Sequence, residues 1–142
     1  SHFIFDLDRT LWDFTVEDSP SIMTKDIENY IQKDRNKILR TIQDEGHIIS
    51  IASRSKAQER CEDFLKKAYP EIKFTSKQIF YTADGMKRQH IENIIGSECK
   101  DMFYFFDDEL SIIEDIRYRY PLSVCFHTKN GLNPYIFDLF DK

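Results

Sequence analysis

The feature that most constrains the fold is an alternation of two patterns along the chain. Short apolar runs recur, each followed by a stretch in which apolar residues return every three or four positions. The runs are Phe3–Phe5, His47–Ala52 (HIISIA), Gln78–Thr82 (QIFYT), Met102–Phe106 (MFYFF) and Leu122–His127. Runs of this length without polar alternation suit strands covered on both faces, as in a parallel sheet. Between them the spacing predicts helices over Lys25–Glu45, interrupted near Lys33–Arg35, and over Ser53–Tyr69, Met86–Ile95, Leu110–Tyr120 and Leu132–Phe140. In the second, Ala57, Cys61, Phe64, Leu65 and Ala68 share one face and Pro70 ends the helix. Five strands joined by helices predict an α/β, Rossmann-like three-layer sandwich around a mainly parallel five-stranded sheet.

Length and composition agree with one such unit spanning 1–142. Hydrophobic residues make up 41% of the 142, with 12 Phe, 7 Tyr and 1 Trp, enough to fill a core and to exclude disorder. The stretch from about 12 to 34, where Trp12, Phe14 and Val16 alternate with polar residues, reads as a flap or loop insertion, and no gap would house a larger cap. Lys and Arg total 20 against 25 Asp and Glu, and the net −5 argues against a nucleic-acid backbone as ligand. Cys61, Cys99 and Cys125 are odd in number and widely spaced, which suits buried thiols rather than a disulfide framework or a zinc motif. No apolar run is long enough to span a bilayer and no signal-peptide pattern opens the sequence, so a reducing, cytoplasmic setting is expected.

In open α/β sheets ligands sit beyond the carboxyl ends of the strands. Those ends here carry Asp6, Ser53-Arg54 and Asp107-Asp108, with Lys87 just past the third strand. Acids, a hydroxyl and a cation therefore converge on one rim, which points to a metal ion and an anion. Asp6-Leu7-Asp8-Arg9-Thr10 has the form DxDxT. A carboxylate after the first strand can attack phosphorus and form an acyl-phosphate. A second acid two residues on, brought round by a turn, can protonate the leaving oxygen.

Plainer readings stand beside these. Asp6 and Asp8 could serve a turn, Asp107-Asp108-Glu109 an acidic helix start, and Ser53 a helix N-cap. Arg54 reads equally as a substrate or phosphate contact and as a surface salt bridge, and Trp12 and Phe14 equally as packing residues and as ligand stackers. His90 reads as structural, His47 and His127 as strand-end residues, and Asn130-Gly131 as a turn whose glycine permits positive φ.

The string FDLDRTLW resembles motif one of the haloacid dehalogenase (HAD) superfamily of aspartate-nucleophile phosphohydrolases. FDLDRTLW, IASRS, GMKRQHI, FYFFDDE and KNGLN, in that order over about residues 3 to 135, resemble the magnesium-dependent phosphatase-1 family more narrowly. The resemblance implies an HAD-like fold with a minimal cap or none and a Mg²⁺-dependent phosphomonoester hydrolase. On it, Asp6 is the nucleophile and Asp8 the general acid and base. Mg²⁺ sits between Asp6, the Asp8 backbone carbonyl and the Asp107-Asp108 pair, with Asp108 as direct ligand and Asp107 as outer partner. Leu7, Ser53, Arg54 and Lys87 contact the phosphoryl group. A phosphorylated small molecule or a phosphoprotein is the expected substrate. A polynucleotide 3′-phosphatase and a non-catalytic, partner-dependent module are the alternatives. Two positions depart from the family pattern: Arg9 stands where Tyr or Gly is usual, and Ile112 where a polar residue is usual.

Overall fold

A computed structural model describes residues 1–96 and 101–138. The chain runs β1 (His2–Phe5), two 3₁₀ turns (Val16–Asp18 and Thr24–Tyr30), α1 (Lys33–Asp44), β2 (Ile48–Ser53), α2 (Gln58–Ala68), β3 (Phe74–Ile79), α3 (Arg88–Ile95), β4 (Phe103–Asp107), α4 (Leu110–Arg119), β5 (Val124–His127) and α5 (Pro134–Asp138). All four strand pairings are parallel and the order is β3-β2-β1-β4-β5, the α/β Rossmann-like arrangement expected. The strand order reverses between β1 and β4, and that switch point puts the crevice beside the residues that follow Phe5 and Phe106.

The strand period of two divides the core. Phe3 and Phe5 join Trp12, Leu39, Ile42 and Phe64 on one face, while Ile4 joins Ala52, Phe105, Ile113 and Ile116 on the other. Burial on both faces explains why β1, β2 and β4 read as unbroken apolar runs.

Most boundaries shift by one or two residues, α3 for example starting at Arg88 rather than Met86, and some shifts are larger. β3 is Phe74–Ile79 rather than Gln78–Thr82, because it is an edge strand that is mostly half-buried and carries polar residues within its span. The helix expected from Ser53 starts at Gln58: Ser53 closes β2, and residues 54–57 form a connecting loop. The segment 25–45 splits into a 3₁₀ turn and α1, since Ile31 and Gln32 are extended (ψ 133° and 135°). The last strand is shorter, Val124–His127.

The expected flap or loop is a segment of loop and two 3₁₀ turns whose apolar side chains anchor it in the core. Trp12, Phe14 and Val16 are buried, and Trp12 packs edge-on against Phe64 at 5.7 Å. Arg60 on α2 donates to the carbonyls of Val16, Ser19 and Ile22, fixing the segment from beneath. Trp12 and Phe14 are therefore packing residues. Cys61 and Cys125 are buried free thiols, while Cys99 and the end of the last expected helix lie outside the described residues. Among the described residues no helix is long and apolar enough to cross a membrane.

Candidate active site

β1 delivers Asp6 at its carboxyl end, where the Asp6 amide still bonds the Phe106 carbonyl of β4 at 2.9 Å. The chain then turns sharply, the amides of Thr10 and Leu11 both donating to the Leu7 carbonyl. Arg9 takes φ 62°, the one left-handed non-glycine conformation among the described residues. That turn brings the second acid back toward the first. Asp8 Oδ1 accepts from Trp12 Nε1 at 2.9 Å and from the Val16 amide at 3.2 Å, so the buried flap aims its carboxyl. Thr10 Oγ1 bonds Asp6 Oδ2 at 3.2 Å and Thr128 Oγ1 at 2.8 Å.

Lys87 enters from the loop before α3, 2% exposed, and bridges two buried acids: Nζ lies 2.7 Å from Asp6 Oδ1 and 2.6 Å from Asp107 Oδ2. Asp107 Oδ1 accepts the Glu109 amide at 2.9 Å, so both its oxygens are engaged. Asp6, Asp107 and Asp108 each offer a carboxylate oxygen within 4.8 Å of the others.

The electrostatics of this floor are unbalanced toward negative charge. Burial pushes the Asp6 carboxyl well above the usual carboxylate range; Lys87 opposes the shift and Asp108 adds to it. Asp107 is pushed up to about 6 by burial and by Asp6, against Lys87. Burial works against the charge on Lys87, but Asp107 and Asp6 outweigh it and hold the ammonium protonated beyond its ordinary range. One ammonium among three hard carboxylates leaves a net negative cluster. The donor set therefore fits a divalent cation that prefers oxygen, as Mg²⁺ does.

Asp6, Asp8, Ser53, Arg54, Lys87, Asp107 and Asp108 all line one cavity of about 380 Å³. Ser53 is buried and its Oγ accepts the Ser55 amide at 3.2 Å, so it caps the β2–α2 loop and not the helix. Arg54 makes no ion pair among the described residues; its Nε donates to Thr82 Oγ1 at 3.2 Å. Leu7 turns its side chain into the core and is absent from the cavity wall, so any contact with a ligand falls to its backbone. Ile112 is buried in the core below and forms an apolar part of the wall.

His90 is held as a core residue. Its ring stacks on Phe80 at 3.9 Å, Nε2 donates to the Phe80 carbonyl at 2.8 Å, and burial lowers its pKa to about 4. His127 Nε2 donates to the Asp108 carbonyl at 2.8 Å. Gly131 has φ 84°, as the turn requires.

Three features escape the sequence reading: Thr128 behind Thr10, the rim formed by Lys56 and Tyr81, and a buried Arg35. Arg35 Nε donates to the Leu132 carbonyl at 2.8 Å, and the Leu132 amide donates to the Thr10 carbonyl at 2.9 Å. The helical spacing of α1 places Arg35 near the core face beside Ile38, Leu39 and Ile42, which is the only sequence signal for its burial.

No family model matches this sequence, and no curated protein sequence matches it. Solved structures do share its fold. One is the N-terminal part of a Bacteroides fragilis protein, containing a phosphatase domain and complexed with Mg. It is 19% identical with a TM-score of 0.68, over 88% of this chain and 35% of that one. Another is the Pnkp1/Rnl/Hen1 complex, 20% identical with a TM-score of 0.59, over 89% of this chain and 45% of that one. The present chain spans less than half the length of either, and at these identities the likeness is one of fold.

Proposed function

We propose that the chain is a Mg²⁺-dependent phosphomonoester hydrolase of the haloacid dehalogenase type, resembling the magnesium-dependent phosphatase-1 family in its motifs and acting through an aspartyl-phosphate. The observation that carries this reading is Lys87 bridging Asp6 and Asp107 on the cavity floor. That arrangement orients a carboxylate at the end of β1 while leaving the floor short of positive charge.

In the first step an Asp6 oxygen attacks phosphorus. The Asp6 O–P bond forms, the bond from phosphorus to the leaving oxygen breaks, and Asp8 gives that oxygen its proton. Burial raises the Asp8 pKa against its bonds from Trp12 and Val16, which suits a carboxyl that must carry a proton. In the second step Asp8 takes a proton from water as its oxygen attacks phosphorus, and the Asp6–phosphorus bond breaks. Lys87 holds Asp6 in place and offsets charge gathering on the phosphoryl oxygens, with Ser53 Oγ as donor and Arg54 at the edge. Asp6, Asp108 and the Asp8 carbonyl would hold Mg²⁺, which supplies charge neutralisation for the phosphoryl group when bound. Asp107, already committed to Lys87 and the Glu109 amide, supports them from behind. The substrate of this reading is a phosphorylated small molecule or phosphoprotein, and its setting is the reducing cytoplasm, where Cys61 and Cys125 stay as thiols.

The test is turnover of a panel of metabolite phosphates, phosphopeptides and terminally phosphorylated oligonucleotides, with and without Mg²⁺, by the wild type and Asp6→Asn. Phosphate release that needs both Mg²⁺ and Asp6 supports the proposal; release that survives Asp6→Asn or needs no divalent ion overturns it.

A further inference from the structure

We propose that Arg54, Lys56 and Tyr81 form a subsite for a second anionic group on the leaving alcohol, which makes the preferred substrates phosphomonoesters of small acidic alcohols, such as phosphorylated hydroxy acids. The inference rests on the hydrolase reading above and deepens it by naming a substrate class.

All three residues line the cavity that holds Asp6. Tyr81 is 51% exposed, a large ring left at the mouth rather than packed away. Lys56 Nζ stands 4.4 Å from the centroid of that ring, and Arg54 Cζ stands 5.8 Å from it. The base of the Arg54 guanidinium is fixed by its Nε bond to Thr82 Oγ1, which in turn donates to the Met86 carbonyl at 2.6 Å. Gly85 flanks the same guanidinium, an added Cβ there lying 3.9 Å from Arg54 Cζ.

The nature of these contacts decides the argument. An ion pair positions a cation and cancels its charge; a ring face positions a cation and leaves its charge in place. Elsewhere Arg35, Arg40, Lys77, Lys87 and Arg88 each meet a carboxylate, whereas neither Arg54 nor Lys56 does among the described residues. Arg54 and Lys56 are therefore held at the rim of the cavity that contains Asp6 with no carboxylate of the described residues at ion-pair distance. Lys87 and Ser53 on the floor provide for the phosphoryl group with Arg54 at its edge, so Arg54 and Lys56 together extend the positive charge from that group out to a second anion at the rim. Glu17, Asp18 and Glu109 also line the cavity, and Glu17 is held by the Lys56 amide at 2.5 Å. Their charge repels an extended polyanion but leaves one compact carboxylate the cation pair to bind. A cavity of about 380 Å³ suits a ligand of that size.

The experiment compares phosphoglycerate with glycerol phosphate, which share a carbon skeleton and differ by one carboxylate. With Mg²⁺, the wild type should favour phosphoglycerate in kcat/KM by about tenfold or more, mainly through KM. Lys56→Gln, a change at an exposed side chain, and Arg54→Gln should each pull that ratio toward one. Equal kcat/KM for the two esters, or a ratio unmoved by Lys56→Gln, overturns the subsite. Calorimetric binding of both esters to Asp6→Asn separates the two readings. Tighter binding of phosphoglycerate without turnover of any ester by the wild type keeps the subsite and sinks the hydrolase. Equal binding sinks the subsite whatever the turnover.

Discussion

Lys87 and Arg35 are both almost wholly removed from solvent, yet they are buried among very different partners. Lys87 sits between two buried carboxylates with a third close by, on the floor of an open cavity. Arg35 has one carboxylate, Asp13 at 2.8 Å, whose side chain is 44% exposed, and one carbonyl, that of Leu132. Neither of its terminal nitrogens makes a hydrogen bond among the described residues. Around Lys87 negative charge is in excess and acids are pushed toward their neutral forms, a state of stored electrostatic demand that a cation or a phosphoryl-transfer site exploits. Around Arg35 charge is roughly matched, and the geometry ties α1 to the loop that holds Thr10. On the proposed function the first cluster carries the reaction and the second holds it in place.

Substitutions should separate the two roles, the largest effect falling on Asp6. Asp6→Asn should lower phosphatase activity by about a thousandfold or more, with Tm kept within about 5 °C, because on the proposed mechanism it removes the nucleophile and one crowded carboxyl together. Lys87→Met should cost about 10²–10³-fold in activity and lower the Tm of divalent-free protein by about 10 °C, since it strands two buried acids. Added Mg²⁺ should return part of that Tm. Arg35→Met should cost stability without a matching loss of activity: about 1–3 kcal/mol in denaturant unfolding, from the broken carbonyl bond and lost packing, with activity reduced less than about tenfold. If Arg35→Met cost as much activity as Lys87→Met at unchanged stability, the contrast between the two sites would collapse.

The pH dependence of stability offers a finer test. Asp107 is raised from 3.8 to about 6 in the folded chain, so across that interval the folded state holds a proton that the unfolded state has released. Stability of divalent-free protein should therefore fall as pH rises from about 4 to about 6, and Mg²⁺ should flatten the slope. Thermal melts across that range check the sign. Smallest is Trp12→Phe, which removes the bond that holds the Asp8 pKa down. The limb of the kcat profile belonging to Asp8 should move to higher pH.

What could be read in advance follows from how local each signal is. The two central acids were visible because β1 and β4 are buried on both faces, which leaves Asp6 and Asp107 as abrupt polar stops after apolar runs. The edge strand β3 was misplaced because half-burial admits Thr75, Ser76 and Lys77 within it, and the more apolar residues that follow it look more strand-like. Trp12 and Phe14 alternate with polar residues as an exposed flap would, but the aromatic face of Phe64 that covers them comes from α2, far along the chain. Arg9 takes positive φ in the turn after β1, which an arginine accepts at the cost of strain, and no local spacing signals it. Thr10 meeting Thr128, and Arg35 meeting Leu132, join residues 118 and 97 positions apart, and nothing in local spacing announces such pairs.

The central claim is that Asp6 becomes covalently phosphorylated during turnover. The most direct measurement is borohydride reduction of acid-quenched protein taken during steady turnover with Mg²⁺, followed by fragment mass mapping of the first tryptic peptides. The account predicts conversion of the side chain at position 6, and at no other aspartate, to that of homoserine, with the product missing when substrate is withheld. Sustained phosphate release with position 6 unmodified, or the modification at Asp8 instead, would contradict it.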